Sequence, residues 1–319
     1  MVDERPVTRL AALALITLLA AFAPAGIGGG GTLSDPQAAT AGGQKKKTPA
    51  AAPALTVTHQ ARALGPGEAV LLTIEAPEAL VAVDGRAFGR PLAAFPGDAP
   101  GRWQALVGID VETAAGSYLV TIDARTAGGA LMSGTHRLVV AARTFGVRRL
   151  TVAPEFLTPP ASALARIERE QKTLGSLLAQ ATARPFWHGP FVRPVDGEPV
   201  SNFGLQSIFN GRPPTRHRGA DFAGRSGDAV RAPNAGRVVL ADDLYFSGNT
   251  VVLDHGCGLF SLLAHLSRID VKVGDEVASG VAVGAVGATG RVTGPHLHWT
   301  VRIGAAAVDP LSLMDVTGR

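Results

Sequence analysis

Cysteine is nearly absent from this chain. Cys257 stands alone, which excludes an intrachain disulfide scaffold. Set between Gly256 and Gly258 and beside His255, it reads as a small residue in a strand turn rather than a metal ligand or nucleophile. Aromatic residues are also sparse, at 5%, and the one tight basic run, Lys45-Lys46-Lys47, lies in a tail. Without a basic stripe interleaved with aromatics, nucleic acid is not an expected partner. The formal charge of +4 suits an anionic polymer instead. Long apolar runs are missing too. The stretch Leu10–Ala23 falls short of the ~20 residues that a membrane span needs.

That stretch has the length of a signal-peptide core and follows Arg5 and Arg9, although Asp3 and Glu4 dilute the charge. Ala39-Thr40-Ala41 offers a distant cleavage site, and Ala21-Phe22-Ala23 a closer one spoiled by Pro24. Residues 1–41 are therefore expected to be an export signal, or an uncleaved anchor over residues 10–27. No cysteine follows the run, which argues against lipoprotein processing. Residues 42–54, rich in Ala, Pro and Lys, read as a flexible linker.

What remains is rich in turn formers and apolar residues. With 39 Gly, 22 Pro and 46% apolar residues, the expectation is a mainly β protein with ample core. Residues 55–145 carry strand patterns at Ala69–Glu75, Ala79–Val83, Trp103–Ile109, Tyr118–Asp123 and His136–Ala141, separated by turn signals such as Gly65-Pro66-Gly67 and Asp84-Gly85. That spacing predicts an immunoglobulin-like β-sandwich without the disulfide, with Trp103 and Tyr118 as core or corner residues. It carries no catalytic constellation. It is left with spacing, binding an envelope protein partner, or covering a groove.

Residues 146–184 form a connector, with a helix expected over 163–182 and a partial stripe of Leu164, Ile167, Leu174, Leu177 and Leu178. Phe186-Trp187-His188-Gly189 follow, with His188 assigned to packing. Residues 185–319 read as all-β, with strands at Arg237–Ala241, Asn249–Asp254, Phe260–His265, Val281–Val286 and Leu297–Ile303.

Five of the eight histidines fall between His217 and Trp299: His217, His255, His265, His296 and His298. His296 and His298 lie on a strand pattern, so both imidazoles point to one side, about 7 Å apart at Cα. His217 and Asp221 are four residues apart, but Pro213, Pro214, Gly219 and Gly224 argue against a helix. On a straight strand they would sit about 13 Å apart. Both must lie about 2 Å from a shared zinc ion, so the backbone must bend, and Gly219 is the residue best able to allow it. A single buried histidine is more often a satisfied core residue, and a lone His-x-His is weak. Together, His217, Asp221 and one of His296 or His298 make a three-ligand set that leaves a fourth position for water, the pattern of a catalytic zinc site. The other histidine of that pair and His265 are then placed to move protons or support an oxyanion.

At these residues the chain resembles the LytM/lysostaphin-type zinc endopeptidases of peptidase family M23, from Val195 to Leu313. The likeness rests on Ser201-Asn202-Phe203-Gly204, His217-Arg218-Gly219-Ala220-Asp221, Leu253-Asp254-His255-Gly256, Ala264-His265-Leu266-Ser267, Gly287-Ala288-Thr289-Gly290 and Gly294-Pro295-His296-Leu297-His298-Trp299. The resemblance implies an antiparallel sheet with an open groove and one Zn2+ held by His217, Asp221 and His298. It implies His296 as general base and His265 as the group that polarises water or supports the tetrahedral intermediate. The implied substrate is the peptide cross-link of bacterial peptidoglycan, met in the periplasm or cell envelope. Two positions depart from the family pattern. Leu263 stands where a tyrosine often precedes the central histidine, and Gln206 replaces an arginine after the early Phe-Gly. The competing reading is a non-catalytic or latent envelope protein that binds peptidoglycan or activates a wall amidase.

Overall fold

The computed structural model describes residues 54–152, 157–201 and 203–318. The expected export signal and all of the linker except Ala54 lie outside the described residues, as does Asn202. Among the described residues, no helix is long and apolar enough to cross a membrane.

The first eight strands are β1 (Thr56–Ala61), β2 (Ala69–Glu75), β3 (Leu80–Ala87), β4 (Arg90–Pro91), β5 (Ala94–Pro96), β6 (Trp103–Gly108), β7 (Gly116–Thr126) and β8 (Leu131–Val140). They form two four-stranded sheets, ordered β1-β2-β6-β5 and β4-β3-β7-β8. Strand β7 shows why the sheets face each other. Val120, Ile122 and Ala124 are buried, while Leu119, Thr121, Asp123 and Arg125 between them are exposed, the period-two pattern of a half-buried strand. They meet Leu72, Ile74, Val107 and Leu138 in one shared core. Strand β1 was not legible in advance. Its polar sequence Thr-Val-Thr-His-Gln-Ala lies at a sheet edge, with no residue fully buried.

The connector holds β9 (Val147–Leu150) and helix α1 (Ala161–Leu178). The helix starts directly after Pro159-Pro160, ahead of the expected 163, and ends at Leu178, the last residue of the apolar stripe and short of the expected 182. Residues beyond it turn away to bond the hairpin below, with Cys257 N–H donating to Thr182 O and Phe186 N–H to His255 O. Leu164, expected in the apolar stripe, is 54% exposed. Ala163 is buried instead, and Ile167 and Leu174 are buried as the stripe implies. Leu174, Leu177 and Leu178 pack on Leu240, Val252, Phe260 and Leu262.

The remaining elements are β10 (Pro199–Ser201), β11 (Gln206–Phe209), β12 (Thr215–Arg216), β13 (Ala220–Ala223), β14 (Ala229–Arg231), β15 (Gly236–Leu244), β16 (Gly248–Gly256), β17 (Leu259–Ile269), β18 (Glu276–Val277), β19 (Ala282–Val286), β20 (His296–Ile303), β21 (Ala306–Val308) and α2 (Pro310–Thr317). Ten of these strands make one antiparallel sheet along the path β10-β13-β20-β17-β16-β15-β18, with β14, β19 and β21 attached beside it. A separate three-stranded sheet, β12-β11-β9, joins the connector to the loop before β13. Helix α2 was not expected. Asp309 caps it, accepting from Leu311 N–H at 3.0 Å, and Pro310 occupies its first turn, where a missing N–H loses nothing.

The sandwich is bolted to this C-terminal region. Buried Glu68 accepts from Arg62 and Arg143 at 2.7 and 2.8 Å and from the Ser312 hydroxyl at 2.7 Å. Arg62 also reaches Asp309 at 2.7 Å. Burial would lower the Arg62 pKa, but its bonds to Glu68 and Asp309 outweigh that and raise it.

Candidate metal centre

Strand pairing brings the candidate ligands together. In the β13–β20 ladder Asp221 lies directly opposite His298, so their side chains leave the sheet on the same side. His217 comes from the turn before β13. Its N–H donates to Leu205 O at 2.9 Å and its carbonyl accepts from Gly204 N–H at 2.8 Å, which folds the chain back over the pair.

Gly219 serves this bend differently from the expected way. It is not in the left-handed region. A Cβ there would lie 2.7 Å from His298 Nε2 and 2.6 Å from the Trp299 carbonyl, so glycine permits a close approach rather than an unusual φ.

Three donor atoms converge. His217 Nε2 lies 3.1 Å from Asp221 Oδ1 and 3.2 Å from His298 Nδ1, and His298 Nδ1 lies 2.7 Å from Asp221 Oδ1. A tetrahedral ion with ligands at 2.0–2.1 Å sets its donors roughly 3.3 Å apart, so this triangle needs only slight opening to hold zinc. The residues are buried, at 1%, 1% and 6% exposure. Asp221 Oδ2 is buried with no hydrogen-bond partner, a costly state for a carboxylate that a cation would relieve. Burial would raise the Asp221 pKa, but the bonds and charges of His217 and His298 outweigh it and hold the carboxyl well below its usual range. Burial lowers the His298 pKa against the pull of Asp221, favouring the neutral ring. An ionised carboxylate and neutral imidazoles are the protonation states that metal binding requires. Among the described residues, His217, Asp221 and His298 are the group able to hold an ion.

Two more imidazoles stand beside the triangle. His296 Nε2 is 3.8 Å from Asp221 Oδ1, and its Nδ1 is 2.9 Å from the Gly294 carbonyl. His265 reaches the same space through a distortion. Leu263 pairs with Trp299, so simple alternation would send His265 after Leu263 into the core. Instead the β16–β17 register slips between Leu263 and Leu266, and His265 adopts φ 65°. Such a bulge re-aims a side chain. The His265 ring ends 5.0 Å from that of His296 and 5.9 Å from that of His298. Its N–H donates to Ser247 O and its Nδ1 is 3.0 Å from the Thr289 carbonyl.

A carbonyl can only accept, so Thr289 and Gly294 put the proton of each neutral ring on Nδ1 and leave each Nε2 as a lone pair. Both rings are then proton acceptors. Burial, with His298 and His296 nearby, pushes His265 down to about 3. The oxyanion support expected of His265 therefore requires its ring to take up a proton first.

The other histidines stand apart. His255 is fully buried, with Nδ1 2.7 Å from Ala235 O and Nε2 2.9 Å from Ser261 Oγ. It is a satisfied core residue. His188 is tied to Asn234 through its backbone. Cys257 sits in the β16–β17 turn, and burial pushes its thiol up to about 11, an unreactive state. Sequence reasoning missed Thr300, whose Oγ1 lies 2.8 Å from His298 Nε2. Its place two residues along the same strand was the available signal.

The model of peptidase family M23 matches residues 215–310, the stretch that carries all five site residues. A solved structure described as a peptidase M23 from Pseudomonas aeruginosa is 32% identical, with the match covering 80% of this chain and 96% of that one at a TM-score of 0.61. The chain belongs to peptidase family M23. Two curated relatives resemble this M23 region. They are the peptidoglycan DD-endopeptidase ShyA of Vibrio cholerae serotype O1, 40% identical over 95 residues, and the DD-carboxypeptidase/endopeptidase Mpg of Neisseria meningitidis serogroup B, 40% identical over 97 residues. Each match covers 30% of this M23 chain and 22% of the relative's own length.

Proposed function

We propose that this M23 protein is a zinc-dependent endopeptidase that hydrolyses peptide cross-links of bacterial peptidoglycan during cell-wall remodelling. The observation that carries the reading is the convergence of His217 Nε2, Asp221 Oδ1 and His298 Nδ1 beside two imidazoles held as proton acceptors. The names of ShyA and Mpg support the substrate class. Arg5, Arg9 and the apolar run Leu10–Ala23 support export to the periplasm or envelope.

Zinc, when bound, supplies a Lewis acid that lowers the pKa of a water molecule towards about 7. The chain does the rest. Asp221, ionised and buried, balances the cation. His296 Nε2 takes the proton from the attacking water. His265 Nε2, fixed by the Thr289 carbonyl, orients that water by accepting its second hydrogen. His296 then passes that proton to the leaving amine nitrogen as the C–N bond breaks. The rings need little movement, because backbone carbonyls already fix their tautomers.

In the same reading, residues 55–145 form the sandwich, 146–184 the connector and 185–319 the catalytic domain. The sandwich is read as immunoglobulin-like on its strand orders, first-second-sixth-fifth facing fourth-third-seventh-eighth.

The test is digestion of purified peptidoglycan by the protein, with and without a zinc chelator, followed by mass analysis of the fragments. Chelator-sensitive release is expected, and the fragment masses name the bond. No release from zinc-loaded protein would overturn the enzyme reading in favour of a latent protein or an amidase activator.

A further inference from the structure

The face of β20 that carries His296 and His298 continues to Thr300, and period-two alternation places all three on one side of the sheet. Leu297, Trp299 and Val301 point the other way into the core. His298 turns Nδ1 towards His217 and Asp221 and presents its other nitrogen, Nε2, to Thr300 Oγ1 at 2.8 Å. The chemistry of the ring couples these two ends. A neutral imidazole carries one proton, so a lone pair on Nδ1 for a cation requires the proton on Nε2. That proton needs an acceptor, because His298 is buried. A hydroxyl is well suited, since it rotates to accept from Nε2 when Nδ1 is a lone pair and to donate when it is not.

The bend before β13 is shaped around this bond. At Gly219 a Cβ would stand 2.7 Å from His298 Nε2 and 2.7 Å from Thr300 Oγ1, both atoms of the hydrogen bond at once. The third atom it would meet, the Trp299 carbonyl at 2.6 Å, belongs to the backbone of β20 and cannot swing away. Glycine thus clears the space in which ring and hydroxyl meet.

We propose that Thr300 is a positioning residue of the metal centre. Its hydroxyl accepts the Nε2 proton of His298 once Nδ1 gives its lone pair to a cation beside His217 and Asp221, and so sets the site's affinity for zinc. Gly219 is the second half of the device. The inference rests on the zinc reading above and deepens it. The hydrogen-bond partner of a ligating histidine commonly governs metal affinity by about 10- to 100-fold.

The experiment measures zinc affinity of the full chain by competition with a chromophoric chelator, for wild type, Thr300→Val and Thr300→Ser. The thermal midpoints of the metal-free proteins are measured alongside. Valine keeps the branched shape and removes the acceptor, whereas serine keeps the acceptor. Thr300→Val should bind zinc about 10- to 100-fold more weakly. Thr300→Ser should stay near wild type, with the metal-free midpoints of all three close together. Equal affinity for wild type and Thr300→Val overturns the proposal. So does a Thr300→Ser variant as weak as Thr300→Val, which would mean that packing and not the hydroxyl matters. Long-range proton–nitrogen NMR of zinc-loaded wild type decides independently of any variant. A proton on His298 Nε2 is expected, and one on Nδ1 overturns the tautomer argument. A wild-type protein that takes up no zinc would instead overturn the metal reading itself, which separates the two failures.

Discussion

The sandwich interior is built from apolar side chains such as Val70, Leu72, Ile122 and Leu138, whereas one end of the C-terminal sheet buries His217, Asp221, His265, His296 and His298 side by side. The β7–β8 hairpin and the strand that carries His265 differ in backbone as well. Strand β7 pairs with β8 without a slip, while β17 slips against β16, β19 and its histidine adopts a positive φ. Apolar burial stabilises the first region directly, at about 25 cal/mol per Å2. The second gathers groups whose desolvation opposes folding until a cation satisfies them. The two regions therefore respond differently to mutation, metal removal and acid.

The sharpest separation comes from the ligands. His217→Ala and Asp221→Ala should lose zinc and fall to background hydrolysis together, as read by metal analysis and peptidoglycan digestion. Next, His296→Ala should keep its zinc while turnover falls by about 10²- to 10⁴-fold, the range for a lost general base. A zinc-free His296→Ala protein beside a zinc-loaded His298→Ala protein would show that the ligand and base roles are exchanged.

Substitutions away from the centre should do the reverse. Leu72→Ala, in the sandwich core, should cost about 2–5 kcal/mol. Glu68→Ala removes the shared acceptor of Arg62, Arg143 and Ser312 at the junction and should cost about 1.5–3 kcal/mol of stability. Urea denaturation measures both, and the folded fraction should still bind one zinc. A loss of zinc in folded Leu72→Ala would break the comparison by showing that sandwich packing shapes the centre.

The smallest effect is in the pH dependence of the metal-free protein. Burial lowers the His255 pKa from its ordinary 6.5 to about 4. Between those values the unfolded chain binds the proton and the folded chain does not, so stability is fully present above pH 6.5 and lost as pH falls to about 4. Replacing His255 with Gln should remove about 1.4 kcal/mol per pH unit from that slope. An unchanged slope would mean that His255 is not the neutral core residue its bonds to Ala235 and Ser261 imply.

Much of this was legible because it depends on short-range pattern. Period-two alternation located β2, β7 and β20, and with β20 the shared face of His296 and His298. Edge strand β1 escaped because an exposed polar strand has no alternation to read. The helix expected to 182 overruns α1 because Ala179-Gln180-Ala181-Thr182 holds no Gly or Pro to stop it, while hydrogen bonds of Cys257 and Phe186 draw these and the following residues elsewhere. Helical spacing puts Leu164 inward, yet which face of a helix is covered depends on what packs against it.

Residue types and spacings alone determined the candidate inventory: two imidazoles on one strand face, a His-x-x-x-Asp without helix, and a central histidine. Tertiary structure decided which of the two strand histidines turns to Asp221, because only the β13–β20 register puts His298 and not His296 opposite it. It also decided that His265 leaves the core, through a bulge with no signature in local sequence, and that Gly219 is required by the His298 ring beside it. These are consequences of contacts between strands distant along the chain, which local periodicity does not encode.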